Sequence, residues 1–232
     1  HDAETMEEAD YLFEIGPGAG ALTTELLKRK AHLFAVEKDE VLARELKKKF
    51  PALTLFSSDI LEFDFSLLRP HAPLKVVANL PYHITTPIFE RLIQHRSLFS
   101  SFTVMIQDEV AEKIKAKPGS KEFGSLSLFL QFHTELQDSF KVAPTCFYPR
   151  PKVASKVLHL LLKTPPIQEE TQLFTLIRQA FQMRRKMVRT SLQSLYSQEQ
   201  IEQALLSAKV LPNIRPQELT LDQWILIYNH LN

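Results

Sequence analysis

Cysteine is nearly missing from this chain: Cys146 is the only one among 232 residues. A single thiol closes no internal disulfide and builds no multi-cysteine zinc site, and it suits a reducing compartment. No run approaches the roughly 20 apolar residues that span a bilayer. Residues 1–10 are acidic and polar, without the basic-then-apolar pattern of a signal peptide. A cytoplasmic protein with no membrane partner is expected. Excess charge is lacking too, since 28 Lys and Arg face 27 Asp and Glu, a net +1. A surface for a polyanion must therefore be local, because the whole molecule supplies no long-range field. What the chain does have is apolar material, 44% of residues. That is enough for one large packed domain with an appendage, or two modest ones.

The first two-thirds alternates short apolar runs with amphipathic segments. Strands are expected at Tyr11–Ile15, His32–Glu37, 53–57, Leu74–Asn79 and 102–106. Helices are expected between them, to about residue 30, over 39–50 with Asp39 as cap, and over 86–95. Alternation at this spacing implies right-handed βαβ units and a parallel sheet. A helix over 109–115, a loop over 117–124 and another helix follow. Two longer strands at Thr134–Val142 and 153–163 then suit an antiparallel edge. Thr164-Pro165-Pro166 interrupts the pattern, because proline continues neither a central strand nor a helix. Beyond it only helical periodicity appears, at 168–183, 187–196, 198–209 and Leu221–Leu231. The expected fold class is α/β over residues 1–164, followed by a small all-α C-terminal domain over 165–232.

Glycine is scarce, five in all, yet three are Gly16, Gly18 and Gly20. They follow the first strand and open a helix, where a missing Cβ lets backbone approach a ligand. A plain tight turn would use glycine as well. The order of acids favours a ligand: Glu14 precedes the turn, Glu37 ends the second strand, and Asp59 with Ile60 follows the third. An acid in the position of Glu37 accepts from ribose hydroxyls, and Asp59 is placed to accept from a cofactor's adenine amine. The dinucleotide fingerprint spaces its glycines Gly-x-Gly-x-x-Gly, whereas this chain has Gly-x-Gly-x-Gly. S-adenosyl-L-methionine is the expected cofactor, with NAD as its rival.

Asn79-Leu80-Pro81-Tyr82 stands directly after the fourth strand. An adenine amine attacks a methyl donor poorly because its lone pair is delocalised into the ring. Acceptors for both amine protons pull the nitrogen toward tetrahedral geometry. The Asn79 side-chain carbonyl and the Pro81 backbone carbonyl are expected to supply them, with Asn79 also beside the cofactor. Tyr82 offers a stacking face worth roughly 1–3 kcal/mol. In-line positioning and preorganised dipoles then carry the rate. A β-turn also favours Asn and Pro, but it does not call for an aromatic after the proline.

With these residues in hand, the chain resembles the small-subunit ribosomal RNA adenine N6,N6-dimethyltransferases of the kasugamycin-resistance (KsgA) type. The likeness runs through Gln107-Asp108-Glu109-Val110-Ala111, Lys117-Pro118-Gly119-Ser120-Lys121, Phe123-Gly124-Ser125-Leu126-Ser127 and Phe147-Tyr148-Pro149-Arg150-Pro151-Lys152-Val153. It continues in Phe181-Gln182-Met183-Arg184-Arg185-Lys186 and Arg215-Pro216-Gln217-Glu218-Leu219. The resemblance implies a Rossmann-like methyltransferase domain, dimethylation of two adjacent adenosines near the 3′ end of small-subunit RNA, and Phe147 flanking the base opposite Tyr82. The family also carries a Gln-Asn-Phe-Leu segment before its first strand, over the cofactor's methionine end. That segment is absent here, and a preceding piece is expected. Ala154 replaces a usual aspartate and Thr190 a usual asparagine.

Positive charge does gather. Arg178, Arg184, Arg185, Lys186 and Arg189 lie in an acid-free stretch, and Lys141, Arg150, Lys152, Lys156 and Lys163 form a second. Arg184, Arg185, Lys186 and Arg189, on a helix of the small domain, are the expected RNA contacts, although a solvated helix face has the same composition. The expected partner is small-subunit ribosomal RNA or an immature small subunit, met by a monomer, with no metal. Two alternatives stand beside it: a large-subunit RNA adenine methyltransferase of the macrolide-resistance type, and a non-catalytic ribosome-assembly factor.

Overall fold

A computed structural model describes residues 10–29, 31–143 and 154–232. Seven strands are β1 (Tyr11–Ile15), β2 (His32–Glu37), β3 (Thr54–Ser57), β4 (Leu74–Asn79), β5 (Phe99–Gln107), β6 (Thr134–Val142) and β7 (Ser155–Leu162). They form one sheet in the order β3-β2-β1-β4-β5-β7-β6. Pairing is parallel from β3 across to β5, and β7 joins β5 antiparallel. The structure thus has the mostly parallel Rossmann-like sheet with an antiparallel edge. Central strands covered on both faces need unbroken apolar runs, and Leu12, Phe13, Val76, Phe102 and Val104 are fully buried. Phe63 and Phe65, from the β3–β4 connection, close one face, with Phe13 and Phe63 stacked at 5.5 Å.

Helices α1 (Ala21–Leu27), α2 (Glu40–Lys49), α3 (Thr85–Gln94) and α4 (Asp108–Lys115) follow β1, β2, β4 and β5. Asp39 caps α2 as its position suggests, accepting from Val41 and Leu42 N–H at 2.8 and 3.0 Å. Strand β5 begins three residues before the expected start at 102. Ser101 looks like loop in the sequence, but Lys75 of β4 on one side and Leu161 of β7 on the other supply its pairing, while Ser100 sits at a register shift of the β4–β5 pairing.

Contacts divide the chain into two compact units, His1–Ala111 with Glu135–Leu162, and Glu112–Thr134 with Lys163–Asn232. A single cut after residue 164 therefore gives way to a crossing. The second unit holds α5 (Ser125–His133), α6 (Glu170–Gln182), α7 (Val188–Leu192), α8 (Gln198–Ser207) and α9 (Leu221–Leu231). The physical reason is shared apolar burial: Phe123, Leu128 and Phe132 join Leu173, Phe174, Ile177 and Trp224 in one core. Among the described residues no helix is long and apolar enough to cross a membrane.

Candidate active site

In register, Ile15 at the end of β1 lies between Val36 of β2 and Ala78 of β4. The next residues, Gly16, Glu37 and Asn79, therefore emerge side by side. Strand order reverses between β1 and β4, so the connections leave in opposite directions and open a crevice at this edge.

On the β1 side, Gly16, Gly18 and Gly20 have φ of +64°, +56° and +80°, the left-handed region that side chains disfavour. Their surroundings differ. A Cβ on Gly20 would lie 2.7 Å from Phe50 Cε2 and 2.8 Å from Leu46 Cδ2, whereas one on Gly18 would meet nothing within 4 Å. Gly20 serves packing, and Gly16 and Gly18 face open space that a ligand can fill. The Gly18 N–H donates to Glu37 Oε2 at 3.0 Å and the Asp39 N–H to Glu37 Oε1 at 2.9 Å. Glu37 thus braces the turn and retains lone pairs on both oxygens.

Glu14 is 1% exposed and accepts from the Thr23 hydroxyl at 2.7 Å. Burial pushes its carboxyl up to about 7, with the nearby Glu37 charge adding and the Thr23 hydrogen bond opposing. Asp59 accepts from Lys38 Nζ at 2.7 Å and from Leu61 N–H at 2.9 Å. Those bonds, Lys38 first, hold its carboxyl below the usual range. Ile60, beside it, is buried.

On the β4 side, Asn79 pairs with Met105 of β5. Its side-chain amide is exposed and makes no hydrogen bond to the described residues. Leu80 is buried, and its N–H donates to Met105 carbonyl at 3.0 Å. The expected use of the Pro81 carbonyl needs correction. It accepts from Ile84 N–H at 3.2 Å and from the Thr85 hydroxyl at 3.1 Å. The start of α3 leaves backbone N–H groups without helical partners, and this carbonyl satisfies one of them. The Leu80 carbonyl takes no hydrogen bond from the described residues. Tyr82 is half-buried, with its hydroxyl 2.8 Å from Ser155 Oγ. Phe147 lies outside the described residues.

The basic cluster also differs from expectation. Arg184, Arg185 and Lys186 occupy a turn between α6 and α7 rather than a helix, so that Arg189 alone of the four expected RNA contacts is helical. The chain leaves α6 where Arg184 Nη2 donates to the carbonyls of Lys121 and Phe123, at 2.5 and 3.0 Å. This clamp brings the exposed Lys121 beside the turn, within the helical unit. No cluster of three or more potential metal ligands occurs among the described residues.

A family model described as ribosomal RNA adenine dimethylase matches residues 2–232. The chain belongs to that family. Similar relatives are both named ribosomal RNA small subunit methyltransferase A. The one from Protochlamydia amoebophila is 44% identical over 238 residues, 99% of this chain and 84% of that protein. The one from Chlamydia abortus is 41% identical over 230 residues, covering 96% and 82%. Among solved structures, a dimethyladenosine transferase from Plasmodium falciparum superposes with a TM-score of 0.78 at 23% identity, over 96% of this chain and 90% of that one. The 23S rRNA methyltransferase ErmE gives 0.72 at 24%, over 98% and 93%. These two share the fold. As a family member, the chain is an S-adenosylmethionine-dependent enzyme that dimethylates adenine in ribosomal RNA. The open cradle at Gly16 and Gly18, with an acid at the end of β2, fits that cofactor's adenosyl part.

Sequence reasoning missed the partners that hold the dimethylase's crevice in shape. Thr23 beneath Glu14 and Lys38 on Asp59 are ordinary residues on a helix and in a loop, with nothing local to mark them. Ser155 is reached only through the β5–β7 register, which pairs it with Gln107.

Proposed function

We infer that the chain adds two methyl groups to N6 of each of two adjacent adenosines near the 3′ end of small-subunit ribosomal RNA. It acts during assembly of that subunit, as a cytoplasmic monomer. The small-subunit target is supported by the names of the relatives at 44% and 41% identity. The observation that carries the site assignment is the exposed Asn79 amide at the switch point, beside the open glycine cradle and next to the tethered Tyr82 ring.

S-adenosylmethionine, when bound, supplies a methyl on sulfonium sulfur: the carbon–sulfur bond breaks as the nitrogen–carbon bond forms, and the thioether leaves. Gly16 and Gly18 backbone, Glu37 and Asp59 with Ile60 hold it, while Glu14 and Gly20 keep the turn in shape. The Asn79 side-chain carbonyl and the Leu80 backbone carbonyl accept the two amine protons. This localises the lone pair, and the methylated nitrogen then releases one proton to solvent. Tyr82 stacks one face of the adenine and Phe147 the other. Arg185, Lys186 and Arg189 contact phosphate, with Arg184 chiefly holding their turn in place.

The test is transfer of labelled methyl from S-adenosylmethionine to immature small subunits, followed by mapping of the modified bases. Two adjacent N6,N6-dimethyladenosines near the 3′ end are expected. Label in large-subunit RNA, or an Asn79→Ala variant that retains the full rate, would sink this reading.

A further inference from the structure

Tyr82 is held at both ends. Its backbone continues a segment pinned to β5 by Leu80 N–H on the Met105 carbonyl at 3.0 Å. Its hydroxyl reaches across to Ser155 Oγ at 2.8 Å. Ser155 is the first residue of β7 and is fully buried. Three further contacts fix its position against the end of β5. Ser155 pairs with Gln107 in the antiparallel register. The Asp108 N–H donates to the Ala154 carbonyl at 3.0 Å. Lys156, 7% exposed, places Nζ 2.9 Å from Asp108 Oδ1. A tyrosine side chain has two soft torsions, and a fixed partner on its hydroxyl removes the freedom of both. The strand that fixes Asn79 through Met105 therefore also fixes the ring, through β7.

We propose that Ser155 is a positioning residue whose hydroxyl fixes the Tyr82 ring, and that this matters more for the second methyl transfer than for the first. The proposal rests on the reading that Tyr82 stacks the target adenine. An unmodified adenine amine has two N–H groups, one for the Asn79 carbonyl and one for the Leu80 carbonyl. After one methylation the nitrogen keeps a single N–H, so one of those anchors is gone. Stacking then carries a larger share of the orientation, and a ring free to swing costs more. Misplacement by a fraction of an ångström is expensive when the reacting atoms must be in line.

The experiment uses full-length protein, S-adenosylmethionine and immature small subunits, with mono- and dimethyladenosine measured by mass spectrometry at low turnover. Compared at equal extents of reaction, the ratio of the two products does not depend on how much of a variant is folded. Ser155→Ala is expected to slow formation of dimethyladenosine about tenfold and to raise the monomethyl fraction several-fold. Tyr82→Phe, which removes the other half of the same bond, should give the same ratio. The double variant should be no worse than either single one, in product ratio and in thermal melts of the protein without substrate. Ser155→Thr keeps a hydroxyl and should restore the parental ratio. An unchanged ratio in Ser155→Ala, or multiplicative losses in the double variant, overturns the proposal. A fully active Tyr82→Ala overturns the stacking reading itself, whereas an inactive Tyr82→Ala beside a normal Ser155→Ala overturns only the role of Ser155.

Discussion

The two sides of the switch point are built differently. Beside β1 and β2, the cradle is backbone and carboxylate already bonded within the protein: Glu37 accepts from two N–H groups, Glu14 from Thr23, and Asp59 from Lys38. Beside β4 and β5, Asn79 stands exposed with an amide free of described partners, and one hydroxyl contact restrains Tyr82. A site for the methyl donor can be preassembled, because the same ligand returns at every turnover. A base must enter, react twice and leave, so its acceptors have to wait unpaired. Polar atoms left without partners cost least at an exposed edge, and Asn79 is at one.

The comparison is broken most sharply at Asn79. Asn79→Ala should lower kcat about 100- to 1,000-fold, since it removes one preorganised acceptor, while leaving the melt unchanged. Methyl transfer and a thermal melt on the same preparation check both halves. Equal losses in stability and rate would mean Asn79 is a structural residue.

Glu14 tests the cradle by pH. Its folded pKa is raised from the ordinary carboxylate value to about 7, so the native state holds its proton more tightly than the unfolded chain. The associated stability is full below pH about 4 and is lost as pH rises through 7. Glu14→Gln keeps an acceptor for Thr23 without the buried charge. It should melt higher than the parent at pH 8, by up to about 3 kcal/mol, with the gap closing as pH falls to about 4. A constant offset across that range would remove burial as the cause.

Gly18 and Gly20 separate ligand from packing on one turn. Gly20→Ala should destabilise by about 2–3 kcal/mol in urea melts, from strained φ and the collision with Phe50 and Leu46. Gly18→Ala should cost about 1 kcal/mol of stability for its φ alone, yet weaken S-adenosylmethionine binding in calorimetry. The smallest effects belong to the basic turn. Arg184→Ala should lower the melt by about 1 kcal/mol through lost bonds to the Lys121 and Phe123 carbonyls. Arg185→Ala should leave the melt unchanged and reduce the salt slope of RNA binding by about 1.

Much of the sheet was legible because strand burial writes itself as short apolar runs. The spans of β1, β2 and β4 coincide with those runs, the mostly polar β6 keeps its expected span as an edge strand, and Asp39 announces α2 through its own capping chemistry. Element ends were less legible where pairing came from far away, as at Ser101 of β5. The boundary between units was hidden for a similar reason. Residues 112–134 read as part of the α/β alternation, but their apolar face had more to bury against α6 and α9.

The sequence by itself determined the order of strands and helices, the glycine turn, and the tetrapeptide at the end of β4, because each depends on local periodicity or on backbone chemistry of adjacent residues. Only the tertiary structure decided which arginine is a clamp and which hydroxyl holds Tyr82. Those choices are made by partners 61 to 73 positions apart along the chain. No local pattern encodes a contact that the register of β5 with β7 creates.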